Sequence, residues 1–441
     1  MNEQQLQRVL AQGLGRGVRF LRDTDATPYR SIIAAACVHN TAYDPQVEGS
    51  RAPYMLDVIR ATGEPAFYRA RVLAALETVT EYRDACQLFD FARLFALDGD
   101  AEARQMMYRK FARDDTEQRC TGAEEIIELD GLAGFLAVAR HIGAAVRADP
   151  SLSEDSSLLR MARDLLGPRE VDDALTQAGR DDATIVAYRE AVAANAAAYE
   201  SYRSQQPNLA AFGYDDLVAW IAAQGVRAAA PYLRRWGEGA TVGDLARAAV
   251  DLPLQADAER LIAFLRVFAG RSYPLDPTPL LNLARHPNER VTAGAIMALE
   301  RLTDWRIRAL ALDLLNDAAA DGYRRGQALR LMARHVEPGD VTIVGTTLDA
   351  AKDAHADDFH ALGAGALRVL QACPTPEAIP ALLTLYESGP CSSCRERSVD
   401  LLLQLGSLPD HVLDEVPYDA NLDLRAKGRA LITERDRAGP T

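Results

Sequence analysis

The chain has 441 residues, of which 48% are hydrophobic and 25% are charged, and this composition argues against disorder along the whole length. Asp and Glu (63) outnumber Lys and Arg (49), so the formal net charge is −14, which argues against nucleic acid or an anionic membrane as partner. Six cysteines scattered over so long a chain do not form the disulfide framework of a small secreted protein. We therefore expect a cytoplasmic protein with neither a nucleic-acid nor a membrane partner.

The N-terminal segment MNEQQLQRVLAQGLGRGVRFL is amphipathic and lacks the apolar stretch of a secretory signal. Along the chain, apolar residues recur at helical spacing in segments of about 10 to 14 residues, separated by Gly, Pro, Asn and Asp. No segment offers the roughly 18 consecutive apolar residues that a membrane span requires. Alternation typical of strands is nearly absent, so the pattern predicts an all-α fold.

The first polar stretch that breaks this pattern is CVHNTAYDPQVEGSR, residues 37–51. Loops carry functional residues more often than core elements do, so this stretch is a candidate interaction surface. An inter-helix loop, punctuated by its proline and glycine, is the interpretation that we favour. The candidate side chains are His39, Tyr43, Asp44, Glu48 and Arg51.

Changes in repeat regularity divide the chain into three predicted regions. In residues 1–150, RVLAALETV and RQMMYRKFA begin 33 residues apart, each after a polar turn and an earlier apolar helix. Residues 151–270 are irregular and hold two of the three tryptophans. Residues 271–441 show the most regular repeats. We expect an N-terminal helical array, an irregular helical middle and a C-terminal array.

Within residues 271–441, a small residue followed by a large apolar one recurs in every second helix. Successive pairs are 33, 38, 32 and 32 residues apart, and an apolar helix precedes each of them. A single helical hairpin cannot bury its apolar face alone, whereas stacked hairpins bury it together. The repeat therefore predicts a helical solenoid whose second helices carry Ala295-Ile296, Ala328-Leu329, Ala366-Leu367, Ser398-Val399 and Ala430-Leu431.

Two segments resemble HEAT repeats, namely PLLNLARHPNERVTAGAIMALERL and EAIPALLTLYESGPCSSCRERSVDLLLQL. Each has a first helix, a polar turn and a second helix with an arginine near its start, Arg290 or Arg395, and the first-helix proline of the family is kept at Pro380. The resemblance extends over residues 275–435 and more loosely over 27–150. It implies a right-handed α-α superhelix and a role as scaffold or adaptor.

The pair Cys391 and Cys394 in PCSSCRERSVDLL is the main chemical candidate. A thiol at a helix N-terminus beside arginines would have a lowered pKa, which makes these cysteines a candidate redox pair. However, redox motifs of this spacing accompany a βαβ pattern, and none is visible. A tight turn in which Ser392, Ser393 or Cys394 caps the following helix is the interpretation that we favour.

A structural zinc site at these cysteines would need four ligands. Cys373 and His411 lie where successive hairpins connect, about 15 Å away along a ten-residue helix, so they cannot share a metal ion with the turn. Only His355 and His360, in the turn of the adjacent repeat, are suitably placed. We expect no metal site and no cofactor.

No phosphate-binding loop, nucleophile elbow or zinc-protease motif occurs in the sequence. The leading hypothesis is a non-catalytic scaffold or adaptor that binds another protein through its helical surface, with Arg325 and Arg368 on that surface. One alternative is a HEAT-like enzyme or cofactor-handling protein, of the lyase or nucleic-acid base-modifying type, although the chain resembles neither closely. The other is an adaptor regulated by a thiol or zinc at Cys391 and Cys394.

Overall fold

The computed structural model describes residues 1–113, 120–255 and 257–438. Within these ranges the chain forms 26 α-helices and several short 3-10 turns, with no strand. The helices pack against their neighbours in sequence order. The predicted class, an all-α fold of the α-α superhelix type, is confirmed.

The chain divides into two compact units. Unit 1 consists of two segments, Met1–Gln206 and Pro409–Thr441, and unit 2 (Pro207–Leu408) lies between them in sequence. The first segment of unit 1 contains α1 (Glu3–Gln12), α2 (Arg16–Arg22), α3 (Arg30–Val38), α4 (Pro45–Glu48), α5 (Ala52–Ala61), α6 (Pro65–Thr78), α7 (Tyr82–Leu97), α8 (Ala101–Arg113), α9 (Ala123–Ala148), α10 (Ser157–Leu166), α11 (Pro168–Ala178) and α12 (Ala183–Ser204).

Unit 2 contains α13 (Tyr214–Gln224), α14 (Val226–Gly239), α15 (Val242–Asp251), α16 (Ala258–Val267), α17 (Thr278–Leu283), α18 (Glu289–Leu299), α19 (Trp305–Asn316), α20 (Gly322–Met332), α21 (Asp340–Ala351), α22 (Ala356–Ala372), α23 (Ile379–Ser388) and α24 (Ser392–Gln404). The second segment of unit 1 contains α25 (Asp410–Glu415) and α26 (Leu422–Ala438).

This division differs from the three regions that the sequence predicts, with boundaries at 150 and 270. Helices α10, α11 and α12 pack against α9 and so complete unit 1 rather than begin an irregular middle region. Helices α13 to α16 already belong to unit 2, because α14, α16 and α18 pack in succession. The regular array therefore begins earlier in the chain than its sequence pattern suggests.

Unit 2 is a stack of helical hairpins in which the second helices, α14, α16, α18, α20, α22 and α24, form one continuous row. The first four predicted small-large pairs are buried in this row, from Ala295-Ile296 to Ser398-Val399. The closest approach joins α20 and α22, where Gly326 and Gly365 face each other so tightly that a Cβ at either position would overlap the backbone of the other helix. Small residues thus set the spacing of α20 and α22, but they are glycines that precede the predicted alanines, Ala328 and Ala366, by two positions and one position.

The fifth predicted pair does not continue this stack. Ala430 is exposed and Leu431 is only half-buried. The buried residues of α26 are instead Leu424, Arg425 and Gly428, because this helix packs within unit 1. The expectation that residues 271–441 form one array is therefore wrong at its C-terminal end.

Contacts between the two segments of unit 1 explain why the C-terminal helices pack in this unit. The Ala420 amide donates a hydrogen bond to the Gly13 carbonyl oxygen at 2.8 Å. Arg16 forms an ion pair with Glu415, and Arg425 forms one with Asp57, each at 2.9 Å. The beginning and the end of the described chain therefore pack together in one unit.

Ion pairs connect successive hairpins of unit 2. Each joins an arginine to a carboxylate about one repeat away in sequence, with separations of 30 to 32 residues. A surface ion pair adds only about 0 to 1 kcal/mol, so their main consequence is to fix the register between neighbouring hairpins. The pairs are Arg227–Glu259, Arg247–Asp215, Arg306–Asp276, Arg308–Asp340 and Arg330–Glu300.

Among the described residues, α9 alone is long and apolar enough to cross a membrane by length and composition. Its residues Phe135, Val138 and Ile142 are buried in the core of unit 1, and the helix packs along α12. In this structure α9 is a core helix of its unit.

Candidate functional site

Three side chains with metal-binding or nucleophilic atoms converge in unit 2. The sulfur atoms of Cys391 and Cys394 and a ring nitrogen of His360 all lie within 4.8 Å of one another. The two cysteines come from the start of α24, and the histidine comes from the neighbouring α22. We call these three residues the Cys2His cluster.

The local sequence explains the placement of both cysteines. Helix α23 ends at Ser388, and Gly389 and Pro390 separate it from Cys391, the extended N-cap residue of α24 (φ −87°, ψ 123°). Cys394 is the third helical residue. An N-cap side chain normally reaches the third residue of its helix, so this spacing brings the two sulfur atoms to the same side of the first turn. The predicted turn is present, but the N-cap residue is Cys391 rather than one of the residues 392–394, and its side chain makes no capping hydrogen bond.

The third residue of the cluster, His360, is brought to the cysteines by the packing of one hairpin on the next. Helices α22 and α24 are neighbours in the row of second helices, and His360 lies near the start of α22. Its Nδ1 atom is 3.9 Å from the sulfur atom of Cys394. His355, by contrast, is exposed and caps the start of α22, with its Nδ1 3.4 Å from the Asp357 amide. Of the two histidines that the sequence places suitably, only His360 joins the cysteines.

The cluster favours the ionised form of one thiol. The hydrogen bond from Cys394 is the largest cause, and a hydrogen bond from His360 adds to it; together they outweigh burial and lower the pKa of Cys391 to about 4. Cys391 is buried, whereas Cys394 and His360 are half-buried. A thiolate is the form of cysteine that binds a metal ion, and the half-buried Cys394 and His360 give the cluster its access to solvent.

The other sulfur and nitrogen candidates lie elsewhere. Cys373 follows the last residue of α22, 13 residues beyond His360, which corresponds to about 20 Å along a helix. His411 belongs to α25 of unit 1. Among the residues that the structure describes, no fourth His, Cys, Asp or Glu joins the Cys2His cluster.

The two arginines predicted for the interaction surface differ in their surroundings. Arg368 is about half exposed and lies 3.4 Å from Glu300, which Arg330 also contacts at 3.0 Å. Arg368 therefore bridges α22 to the end of α18, two hairpins earlier. Arg325, in α20, is half-buried, so it offers less charge to a partner than the sequence suggests.

The side chains of the segment 37–51 do not converge on one site. His39 pairs with Asp84, with Nδ1 2.7 Å from Oδ2, and Asp44 caps the short helix α4. Tyr43 is half-buried. The depressions that His39 lines, of about 390 and 670 Å³, include neither Tyr43 nor Asp44.

The structure corrects the prediction that Arg51 belongs to an interaction surface. Its side chain is only 2% exposed and forms an ion pair at 2.8 Å with the fully buried carboxylate of Glu48. It also donates a hydrogen bond to the Ala11 carbonyl oxygen. Arg51 therefore holds unit 1 together and cannot belong to an interaction surface.

A pocket that the sequence analysis missed lies in unit 1, next to this segment. It has a volume of about 720 Å³, and its wall includes carboxylates from α7 and α9, namely Asp90, Glu124, Glu125 and Glu128. Arg93 partly balances them through ion pairs to Asp90 and Glu128. The spacing of the three α9 glutamates was the available signal, but the sequence does not show that α7 faces them.

Glu125 makes unit 1 sensitive to pH. Burial, reinforced by the neighbouring carboxylates, raises its pKa from 4.5 to about 8. A carboxyl group whose folded pKa is raised contributes its full stability below pH 4.5 and loses it as pH rises to 8. Glu125→Gln should therefore stabilise the chain at pH 8 by about 1 kcal/mol or more and lose this advantage at pH 4.

Denaturant unfolding at both pH values, followed by far-UV circular dichroism, checks this expectation. The matched control is Glu124→Gln, because Glu124 is an exposed neighbour on the same helix. We expect the control to weaken the pH dependence of stability only slightly, because the Glu124 carboxylate is a smaller cause of the raised pKa of Glu125 than burial is. Equal behaviour of the two variants would contradict the assignment.

Comparison with protein families, with curated proteins and with solved structures found no match for this chain, so its own residues carry the functional argument.

Proposed function

We propose that this chain is a non-catalytic, cytoplasmic helical-repeat protein of HEAT type, a scaffold or adaptor that binds another protein through unit 2. The proposal rests on the exposure of Trp305, the first residue of α19, whose surface is 78% exposed. A tryptophan is usually largely buried in a folded protein. The cytoplasmic location is supported by the six cysteines, all of which are free thiols.

The residues that follow Trp305 and Leu275 in sequence, Arg306 and Asp276, contact each other. The neighbouring Arg306 forms an ion pair with Asp276 at 2.7 Å and donates a hydrogen bond to the Thr278 hydroxyl at 3.0 Å. These contacts bring the start of α19 next to the start of α17, where Leu275 is 42% exposed. We call Leu275, Asp276, Trp305 and Arg306 the Trp305 edge.

The composition of this edge favours a protein partner. Tryptophan and arginine are enriched among the residues that dominate protein interfaces, where an aromatic side chain fills a pocket and polar groups surround it. At the Trp305 edge, Arg306 is already held by Asp276 and Asp304. No excess of positive charge is left there to attract phosphate groups.

Site-specific photo-crosslinking tests the proposal. A photoreactive amino acid placed at position 305 in the full chain should form adducts with one defined protein in cells. The matched control is position 323. Tyr323 is also aromatic and 53% exposed, but it lies at the start of α20, at the opposite end of the same hairpin.

We expect adducts from position 305 and few or none from position 323. Trp305→Ala should weaken binding of the crosslinked partner at least about 10-fold, as expected for an interface tryptophan, whereas Tyr323→Ala should not. Equal adducts from both positions, or none from 305, would contradict the proposal.

The second candidate, an adaptor regulated by a thiol or a metal ion, is favoured by the Cys2His cluster. In that case the state of the cluster would control the packing of α24 on α22. Metal binding by the Cys2His cluster can be tested without a protein partner. The result of that test does not depend on whether the Trp305 edge binds a protein.

A further inference from the structure

We propose that Cys391, Cys394 and His360 bind one zinc-class divalent cation in tetrahedral coordination, with the fourth position open to water or to a group of a bound molecule. This metal site goes beyond the binding function proposed above, and it depends only on residues of unit 2.

The distances in the cluster suit a shared ion. Zinc binds cysteine sulfur at about 2.3 Å and histidine nitrogen at about 2.0 Å, so two ligand atoms in a tetrahedral site lie about 3.5 to 3.8 Å apart. The observed separation of 3.9 Å between the Cys394 sulfur and His360 Nδ1 is close to this value. All three atoms lie within 4.8 Å of one another, so small rotations of the side chains suffice to bind the ion.

The backbone holds these ligands before any ion arrives. Cys391 and Cys394 are fixed by the N-cap and first turn of α24, and His360 belongs to a regular 17-residue helix, α22. Ligands on rigid elements lose little conformational entropy when they bind a metal ion. The site is therefore preorganised by the packing of two helices.

The charges also balance. Two cysteine thiolates cancel the double positive charge of the ion, and the histidine is neutral when it coordinates. Because Cys391 is only 6% exposed, a neutral assembly costs less to bury than a separate charge would. Two sulfur ligands and one nitrogen favour zinc and other soft or borderline ions over magnesium and calcium, which prefer oxygen.

The ligand set indicates binding rather than hydrolysis. Zinc deaminases, which activate a zinc-bound water at a site of this ligand type, carry a glutamate two residues after the histidine, and this glutamate transfers the proton. In this chain Leu362 occupies that position, and its side chain is fully buried. Leu362 cannot transfer a proton, so we assign this site metal binding and no proton-transfer step at position 362.

Cobalt titration of the full chain tests the site. The protein is reduced with a phosphine, stripped of metal and titrated with Co²⁺ in the absence of oxygen. We expect thiolate-to-cobalt charge-transfer absorption that saturates at an equimolar ratio and disappears when Zn²⁺ is added.

Three variants define the ligands. Cys391→Ser and His360→Gln should each lower cobalt affinity more than about 10-fold, since even the hydrogen-bonding partners of zinc ligands contribute about 10- to 100-fold. Serine can still cap α24, and circular dichroism should show unchanged helix content in both variants. The matched control is Cys373→Ser, which alters a thiol at the far end of α22 and should bind like the original chain.

Three results would overturn the proposal. The first is reduced protein without a thiolate-to-cobalt band. The second is binding that survives in both Cys391→Ser and His360→Gln, which would indicate adventitious binding elsewhere. The third is a reduced dithiol that forms a disulfide on exposure to oxygen and shows the same reactivity with and without zinc, which would assign the cysteines a redox role instead.

Discussion

Replacing Gly365 with alanine should lower the free energy of unfolding of unit 2 by about 1 to 3 kcal/mol, the usual cost of overpacking. A Cβ at this position would overlap the carbonyl oxygen of Gly326 on the facing helix α20. Because that atom belongs to the backbone, the overlap can be relieved only if α20 and α22 move apart. The neighbouring pairs Ala328-Leu329 and Ala366-Leu367 would then lose packing.

Gly345→Ala is the matched control, and we expect the opposite sign. Gly345 also lies inside a helix of unit 2, but the nearest atom that its new Cβ would meet is 4.0 Å away. Alanine should stabilise this helix by about 0.5 to 1 kcal/mol through its higher helix propensity.

Tryptophan fluorescence during denaturant unfolding measures both variants. The three tryptophans of the chain, at positions 220, 236 and 305, all belong to unit 2, so their signal follows this unit. Two variants with shifts of the same sign would contradict the account of the helix row.

Arg51→Met should destabilise unit 1 by about 3 to 5 kcal/mol, the cost of leaving a buried charge without its partner. The Glu48 carboxylate is fully buried beside Arg51. Methionine replaces the length of the side chain but not its charge or its hydrogen bond to the Ala11 carbonyl oxygen. Thermal and denaturant unfolding, followed by far-UV circular dichroism, should show this loss.

Two further variants separate charge from packing. Arg60→Met breaks the pair with Asp98, in which both side chains are at least half exposed, and should cost less than about 1 kcal/mol. Arg51→Met combined with Glu48→Leu should recover part of the loss, because no unpaired charge remains. A double variant less stable than Arg51→Met alone would contradict the explanation.

The sequence predicts the helix phase of unit 2 well, because periodicity reports burial directly. Ala295, Leu329, Leu367 and Val399 are buried as their repeat indicates. The prediction is wrong for the fifth pair, Ala430-Leu431, because the same periodicity does not indicate against which surface a terminal helix packs. The contact of Ala420 with Gly13 joins residues more than 400 positions apart, and no local pattern encodes it.

The Cys2His cluster illustrates the same limit. The turn at Cys391 is local, so a turn before α24 could be predicted, although the N-cap residue is Cys391 rather than one of the residues 392–394. His355 and His360 are five residues apart, and five residues along a helix correspond to a rotation of about 140°. In the structure, however, His355 is the N-cap residue before α22 and only His360 lies within the helix, so the residue that contacts α24 depends on where α22 begins and how it packs. The burial of Arg51 likewise depends on packing, and its spacing of three from Glu48 is not a helical signal, because Gly49 ends α4 between them.

X-ray absorption spectroscopy of the zinc-loaded full chain tests the central claim most directly. We expect an extended fine structure with two sulfur atoms at about 2.3 Å and nitrogen or oxygen atoms at about 2.0 to 2.1 Å. In the Cys373→Ser control the same two sulfur atoms should remain, whereas Cys391→Ser should remove at least one. A zinc ion surrounded only by nitrogen and oxygen would contradict the Cys2His site.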